Sequence, residues 1–159
     1  MNNGLTIIIA HYLSNLNSNP IHNTLKKINE QKSTYNVEVI IADDGSDYSK
    51  DIINNYSKKI ILKNDKRNIY ILNSQKLNSF LKIKNMQEYS EINKWVYLPK
   101  YIQCMSKARV INHAINSANY ENILLLDDDN YFISSNSIHA LMKLFKKYDF
   151  IVGQIKDNK

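Results

Sequence analysis

Cysteine occurs once, at Cys104, so no disulfide can form within the chain and a disulfide-stapled secreted scaffold is excluded. The lone thiol reads as a small buried apolar residue, and a reducing compartment is the matching expectation. Glycine occurs only three times and proline twice. Those glycines form neither a Walker loop nor a dinucleotide fingerprint, so a Gly-rich phosphate cradle is ruled out. No apolar run approaches the roughly 18 residues of a membrane span. Met1–Gly4 leads directly into a strand, which leaves no signal peptide in the expected reading. Repeats and low-complexity linkers are also missing. The expectation is a single cytoplasmic domain over residues 1–159, long enough to bury a core.

Charge is present but dispersed. Twenty-one Lys and Arg against fifteen Asp and Glu give +6, with lysines spread as Lys26, Lys27, Lys58, Lys59, Lys146 and Lys147. Scatter of this kind is a solvated surface. A nucleic-acid face would need clustered cations interleaved with exposed aromatics, and the eleven tyrosines do not group that way. Attraction to an anionic substrate, or peripheral association with an anionic membrane, stays open. Oligomeric state is not readable.

Apolar residues fall into short, nearly continuous runs: LTIIIA (5–10), VEVIIA (37–42) and NILLL (122–126), with further strand candidates at KWVYL (94–98) and FIVGQI (150–155). Runs without polar alternation suit strands buried on both faces of a parallel sheet. Helical stripes separate them: Ile21, Leu25 and Ile28 after Pro20; Val110, Ile111, Ala114, Ile115 and Ala118; Ile138, Leu141, Met142 and Leu144. Such alternation predicts an α/β fold with a mostly parallel sheet flanked by helices. Residues 64–93 are more polar. They read as an insertion near the edge or mouth of the sheet, with a short strand at Ile69–Leu72 and an amphipathic helix through Leu77, Phe80, Leu81 and Ile83.

In open α/β sheets, ligands bind beyond the carboxyl ends of the strands. Each of the three main runs gives way there to polar residues: His11-Tyr12, then Asp43-Asp44-Gly45-Ser46, then Asp127-Asp128-Asp129-Asn130. Each set has an ordinary reading. Asp-Gly-Ser makes a turn in which Gly45 takes positive φ and Ser46 or Asp47 caps a helix. His11 and Tyr12 could make local contacts, and His22, His113 and His139 show no ligand spacing. The aspartate triplet is harder to explain, since adjacent carboxylates repel, more so at low dielectric. A metal, a basic side chain or water must offset that repulsion. A hard divalent cation suits oxygen ligands, taking one or two carboxylates with phosphates and water completing the shell.

Taken in order, LTIIIAHYLSN, VEVIIADDGSD, SKARVINHAINSA (106–118) and NILLLDDDNYFISSNSIHALMKLFKKYDFIVG resemble the nucleotide-sugar-binding half of family 2 glycosyltransferases, which have the GT-A fold. The resemblance covers most of residues 5–155 outside the insertion. It implies a GT-A, Rossmann-like sheet truncated before the acceptor half, and an enzyme that transfers sugar from a nucleoside diphosphate, a UDP-sugar, with inversion and with Mn²⁺ or Mg²⁺. It implies that Tyr12 and the backbone at Ala10 contact the nucleoside, that Asp44 accepts from the base, and that Lys107 or Arg109 approaches the diphosphate. Asp127-Asp128-Asp129 would be the DXD: Asp129 on the metal, Asp127 assisting through water or hydrogen bonds, Asp128 near the ribose. The acceptor would be a saccharide, lipid or protein.

The sequence departs from the family at the first strand, where Ala10-His11 replaces Pro-Thr and Leu13 replaces Asn, so the nucleoside pocket differs. The family's catalytic base lies after the strand that FIVGQI resembles, so the base is expected beyond Lys159. Two other readings remain: a non-catalytic nucleotide-sugar-binding remnant, and a different metal-dependent nucleotidyltransferase using the same carboxylate edge.

Overall fold

The computed structural model describes residues 4–13, 19–49, 58–61, 68–72, 74–83, 85, 92–99 and 107–153. Cys104 and residues 154–155 of FIVGQI lie outside them. The strands are β1 (Gly4–His11), β2 (Asn36–Asp43), β3 (Lys58–Ile61), β4 (Asn68–Leu72), β5 (Ile92–Tyr97) and β6 (Asn122–Asp127). The helices are α1 (Ile21–Asn29), α2 (Ser74–Ile83), α3 (Lys107–Asn116) and α4 (Ser137–Phe145). One sheet runs in the order β3-β4-β5-β2-β1-β6. β5, β2, β1 and β6 are parallel, while β4 and β3 continue the sheet antiparallel at one edge. The fold is therefore α/β, with a mostly parallel sheet flanked by helices.

Every residue of β1 is buried, because helices cover both of its faces. Leu5, Ile7 and Ile9 join Val39 and Ile41 under α1, α2 and α4; Ile8 joins Ile40, Ala42 and Val96 under Val110 and Ala114 of α3. The period of two along the strand thus feeds two separate cores. In α1 the buried Ile21, Leu25 and Ile28 recur at helical spacing. Each full burial of this kind contributes about 1.5–3 kcal/mol.

Two strand expectations need correction. NILLL reads as a strand buried on both faces, yet β6 is an edge strand and Leu125 is 52% exposed. FIVGQI reads as a strand, yet Phe150–Gly153 form none, and Phe150 and Val152 are exposed. Strand propensity needs a partner to accept its hydrogen bonds, and the outer edge of β6 receives no strand among the described residues. In the 64–93 segment, β4 and α2 sit beyond β5 as an edge extension, but they also complete the core: Leu72, Leu77, Phe80 and Leu81 are buried, and Phe80 meets Trp95 edge-on at 5.1 Å. Ile83 is exposed, outside that buried stripe.

The amino ends of the strands carry a buried polar network. Glu38 accepts hydrogen bonds from the Thr6 hydroxyl (2.8 Å) and from the Asn119 backbone and side-chain N–H groups (2.8 Å each), and pairs with Lys94 Nζ at 2.8 Å. Lys94 also donates to the Ser117 carbonyl. Burial alone would raise the Glu38 carboxyl, but the Asn119 N–H, Lys94 and Thr6 together hold it below the usual range.

Candidate functional site

The order of the strands locates the site. From β1 the chain moves through β2 to β5 on one side, then returns to place β6 on the other side of β1. That reversal falls between β1 and β6, and doubly wound sheets bind ligands at the carboxyl ends of such strands. Register brings the tips level: Ala10 lies opposite both Ala42 and Asp127, and His11 lies opposite Asp43.

The turn after β2 is built around Asp43. Its buried carboxylate accepts the Ser46 N–H (2.8 Å), the Ser49 hydroxyl (2.5 Å) and the Trp95 indole N–H (3.0 Å). Gly45 holds φ 80°, as the turn reading requires, and a 3₁₀ turn spans Asp47–Ser49. The Ser46 hydroxyl accepts the Leu13 N–H at 2.9 Å, Asp47 N–H donates to Leu13 O, and Asp44 N–H donates to His11 O at 2.9 Å. Ser46 therefore stitches the β1 and β2 exit loops together, and Asp44 is fixed beside His11.

The aspartate triplet forms the turn after β6, closed by Asn130 N–H to Asp127 O. Its three carboxylates have different surroundings. Asp127 pairs with Lys107 Nζ at 2.5 Å, with both side chains more than half exposed. Asp128 Oδ2 lies 2.6 Å from His11 Nδ1 and 3.4 Å from the Tyr12 N–H, and its side chain is only 17% exposed. Asp129 is exposed. Beneath the turn, the buried Thr24 hydroxyl of α1 reaches the carbonyls of Asp128 (2.7 Å) and Asn130 (3.0 Å). Basic side chains thus offset part of the repulsion.

The structure gathers Ala10, Tyr12, Asp44, Lys107 and Asp127–Asp129 at one edge of the sheet. Ala10 is buried, Tyr12 is exposed at the rim and Asp44 is half-buried. Arg109 is exposed on the first turn of α3, the helix whose leading residue, Lys107, touches Asp127. Sequence reasoning places Asp43 in this assembly without a role of its own and misses Thr24. The available signal for Asp43 is an acid at a strand's last position with Ser three and six residues on, the pattern of a side-chain-capped turn.

Among the described residues, no three His, Cys, Asp or Glu side chains cluster so as to hold a metal. The exposed Asp127 and Asp129 nevertheless offer hard oxygen donors, one or two of which suffice for Mg²⁺ or Mn²⁺ when phosphates and water supply the rest. The donor set fits such an ion in company with a phosphate ligand. Among the described residues, no helix is long and apolar enough to cross a membrane.

The model of the family described as Glycosyl transferase family 2 matches residues 6–80. The matched part runs from β1 into α2 and contains His11, Tyr12 and the Asp43–Ser49 turn. No curated protein matches the chain. Over its N-terminal part the chain is therefore similar to family 2 glycosyltransferases, and that similarity implies glycosyl transfer as the class of activity.

Proposed function

We propose that this carboxyl edge binds a nucleoside-diphosphate sugar, a UDP-sugar, together with Mn²⁺ or Mg²⁺, and presents it for inverting transfer to an acceptor hydroxyl. The observation that carries the reading is the convergence of the β1, β2 and β6 tips at one end of the sheet. Tyr12 and the backbone at Ala10 would line the nucleoside, and Asp44 would accept a hydrogen bond from its base. Asp129 and Asp127 would hold the ion, which supplies Lewis-acid stabilisation to the departing diphosphate.

Lys107 has a double use in this scheme. Its pair with Asp127 is solvated at both ends, so it is worth about 0–1 kcal/mol and exchanges readily. When a ligand neutralises Asp127, Lys107 is released beside the diphosphate, where an ammonium is well matched to phosphate oxygens. Arg109, two residues further along α3, is the alternative cation for this role. The base that deprotonates the acceptor is assigned to no described residue.

Calorimetry with UDP, with and without MnCl₂, tests the reading. Wild type should bind UDP more tightly with Mn²⁺, and Asp129→Ala should lose that enhancement. Equal binding by both proteins would remove Asp129 from the metal site. Transfer or hydrolysis of labelled UDP-sugars then separates an enzyme from a nucleotide-sugar-binding domain that does not turn over.

A further inference from the structure

The three aspartates are adjacent in sequence but not equivalent in space. The His11 side chain is fully buried and its ring stands edge-on to Trp95 at 6.0 Å and 87°. Trp95 is itself fixed by its indole bond to Asp43 and by Phe80. The imidazole is thus wedged, with Nδ1 against Asp128 Oδ2. An ionised carboxylate only accepts hydrogen bonds, so Nδ1 carries the hydrogen in this pair. The Tyr12 N–H approaches the same oxygen, and Thr24 holds the Asp128 carbonyl from below. The middle residue is anchored through side chain and backbone, while its neighbours on both sides stay exposed.

Resting on the donor-site reading above, we propose that His11 and Asp128 are positioning residues. The His11–Asp128 pair fixes the turn after β6 and takes the middle carboxylate out of the ligand shell, so that Asp127 and Asp129 alone face the cation. Asp128 then makes no contact with the ribose, in contrast to the role implied for it by family resemblance. The physical gain is specific: the middle carboxylate is engaged by a buried donor from β1, and the two left for the ligand are held apart by a residue tied to a different strand. A histidine at the end of β1 is the residue that does this, because its ring reaches across to β6 from a site too buried for a solvated lysine.

Calorimetry on the full chain uses UDP, and separately 2′,3′-dideoxy-UDP, with MnCl₂. His11→Ala and Asp128→Ala should each weaken Mn²⁺-dependent UDP binding by about 10–100-fold, the range for groups that orient metal ligands. The double variant should be no weaker than either single one, because both remove the same bond. His11→Asn should recover most of the loss, since its amide N–H falls near the position of Nδ1. All variants should keep the wild-type penalty for the dideoxy nucleotide. If Asp128→Ala erases that penalty while His11→Ala keeps it, Asp128 touches the ribose and the proposal is overturned. Wild-type affinity in His11→Ala would overturn it as well. If either alanine variant fails to fold, His11→Leu and Asp128→Leu, which keep bulk but remove the bond, carry the same comparison. A wild type that shows no Mn²⁺-dependent UDP binding would instead refute the donor-site reading itself.

Discussion

Asp43→Asn and Asp43→Ala give the sharpest test of how the ligand edge is held. Asp43 is fully buried and its two oxygens receive three donors. The Ser49 hydroxyl can rotate toward another acceptor, but the Ser46 N–H and the Trp95 indole N–H are fixed by backbone and ring. Truncation to Ala leaves those two donors buried and unsatisfied, at about 1–3 kcal/mol each. The expected loss is therefore about 2–6 kcal/mol, a large share of the 5–15 kcal/mol typical of a domain. Asparagine keeps one oxygen for the Ser46 N–H but turns an NH₂ toward Trp95, leaving a single orphan and a loss of about 1–3 kcal/mol. Urea unfolding measures both values. Trp95 is the only tryptophan in the chain, so its fluorescence reports from within the turn being perturbed. The midpoint should fall in the order wild type, Asn, Ala, with unchanged slope. An Asn variant within about 0.5 kcal/mol of wild type, the range of ordinary surface substitutions, would refute this account of the turn.

The same geometry sets further outcomes. The Glu38 carboxyl sits below its ordinary 4.5 in the folded state, so its contribution is complete above the unfolded value and fades as pH falls through the folded one. Glu38→Gln should flatten the acid limb of a stability-against-pH curve, and Glu38→Ala, which strands Lys94, should cost about 3–5 kcal/mol in denaturant titration. Lys107→Ala should change stability by no more than about 1 kcal/mol, yet weaken UDP binding and reduce its dependence on salt in calorimetry. Gly45→Ala places a Cβ at φ 80° and should cost about 1–2 kcal/mol in thermal or urea melts; a neutral result would mean the turn can relax to negative φ.

Some of this is legible in the chain and some is not, for identifiable reasons. LTIIIA and VEVIIA announce themselves because central parallel strands need apolar residues on both faces, and their helices show the complementary stripe. Once those strands are parallel, His11, Asp44 and Asp127–Asp129 must share an edge, so the gathering of the site residues is a consequence of topology. The pairings within the site are another matter. His11 and Asp128 are 117 residues apart, and nothing local distinguishes the middle aspartate from its neighbours. Asp43 looks interchangeable with Asp44 in the sequence, yet one is locked inward by Ser46, Ser49 and Trp95 and the other is half-buried beside His11. Glu38, polar in the middle of an apolar run, gives no hint of Lys94 and Asn119. Phe150–Gly153 mislead because an apolar pattern describes side chains and says nothing of whether a neighbouring backbone is there to receive the strand.

Among the described residues, β1 is flanked on both sides by parallel strands that each end in the site, and Ala10 is level with Ala42 on one flank and Asp127 on the other. It therefore acts as a common ruler. Deleting a single residue from its middle would exchange its two faces and at the same stroke carry His11 away from Asp128 and its carbonyl away from the Asp44 amide. Length changes in the connecting loops carry no such double consequence. Evolution or engineering can rework the loops that lie away from the site, while the spacing from Gly4 to His11 has to be kept.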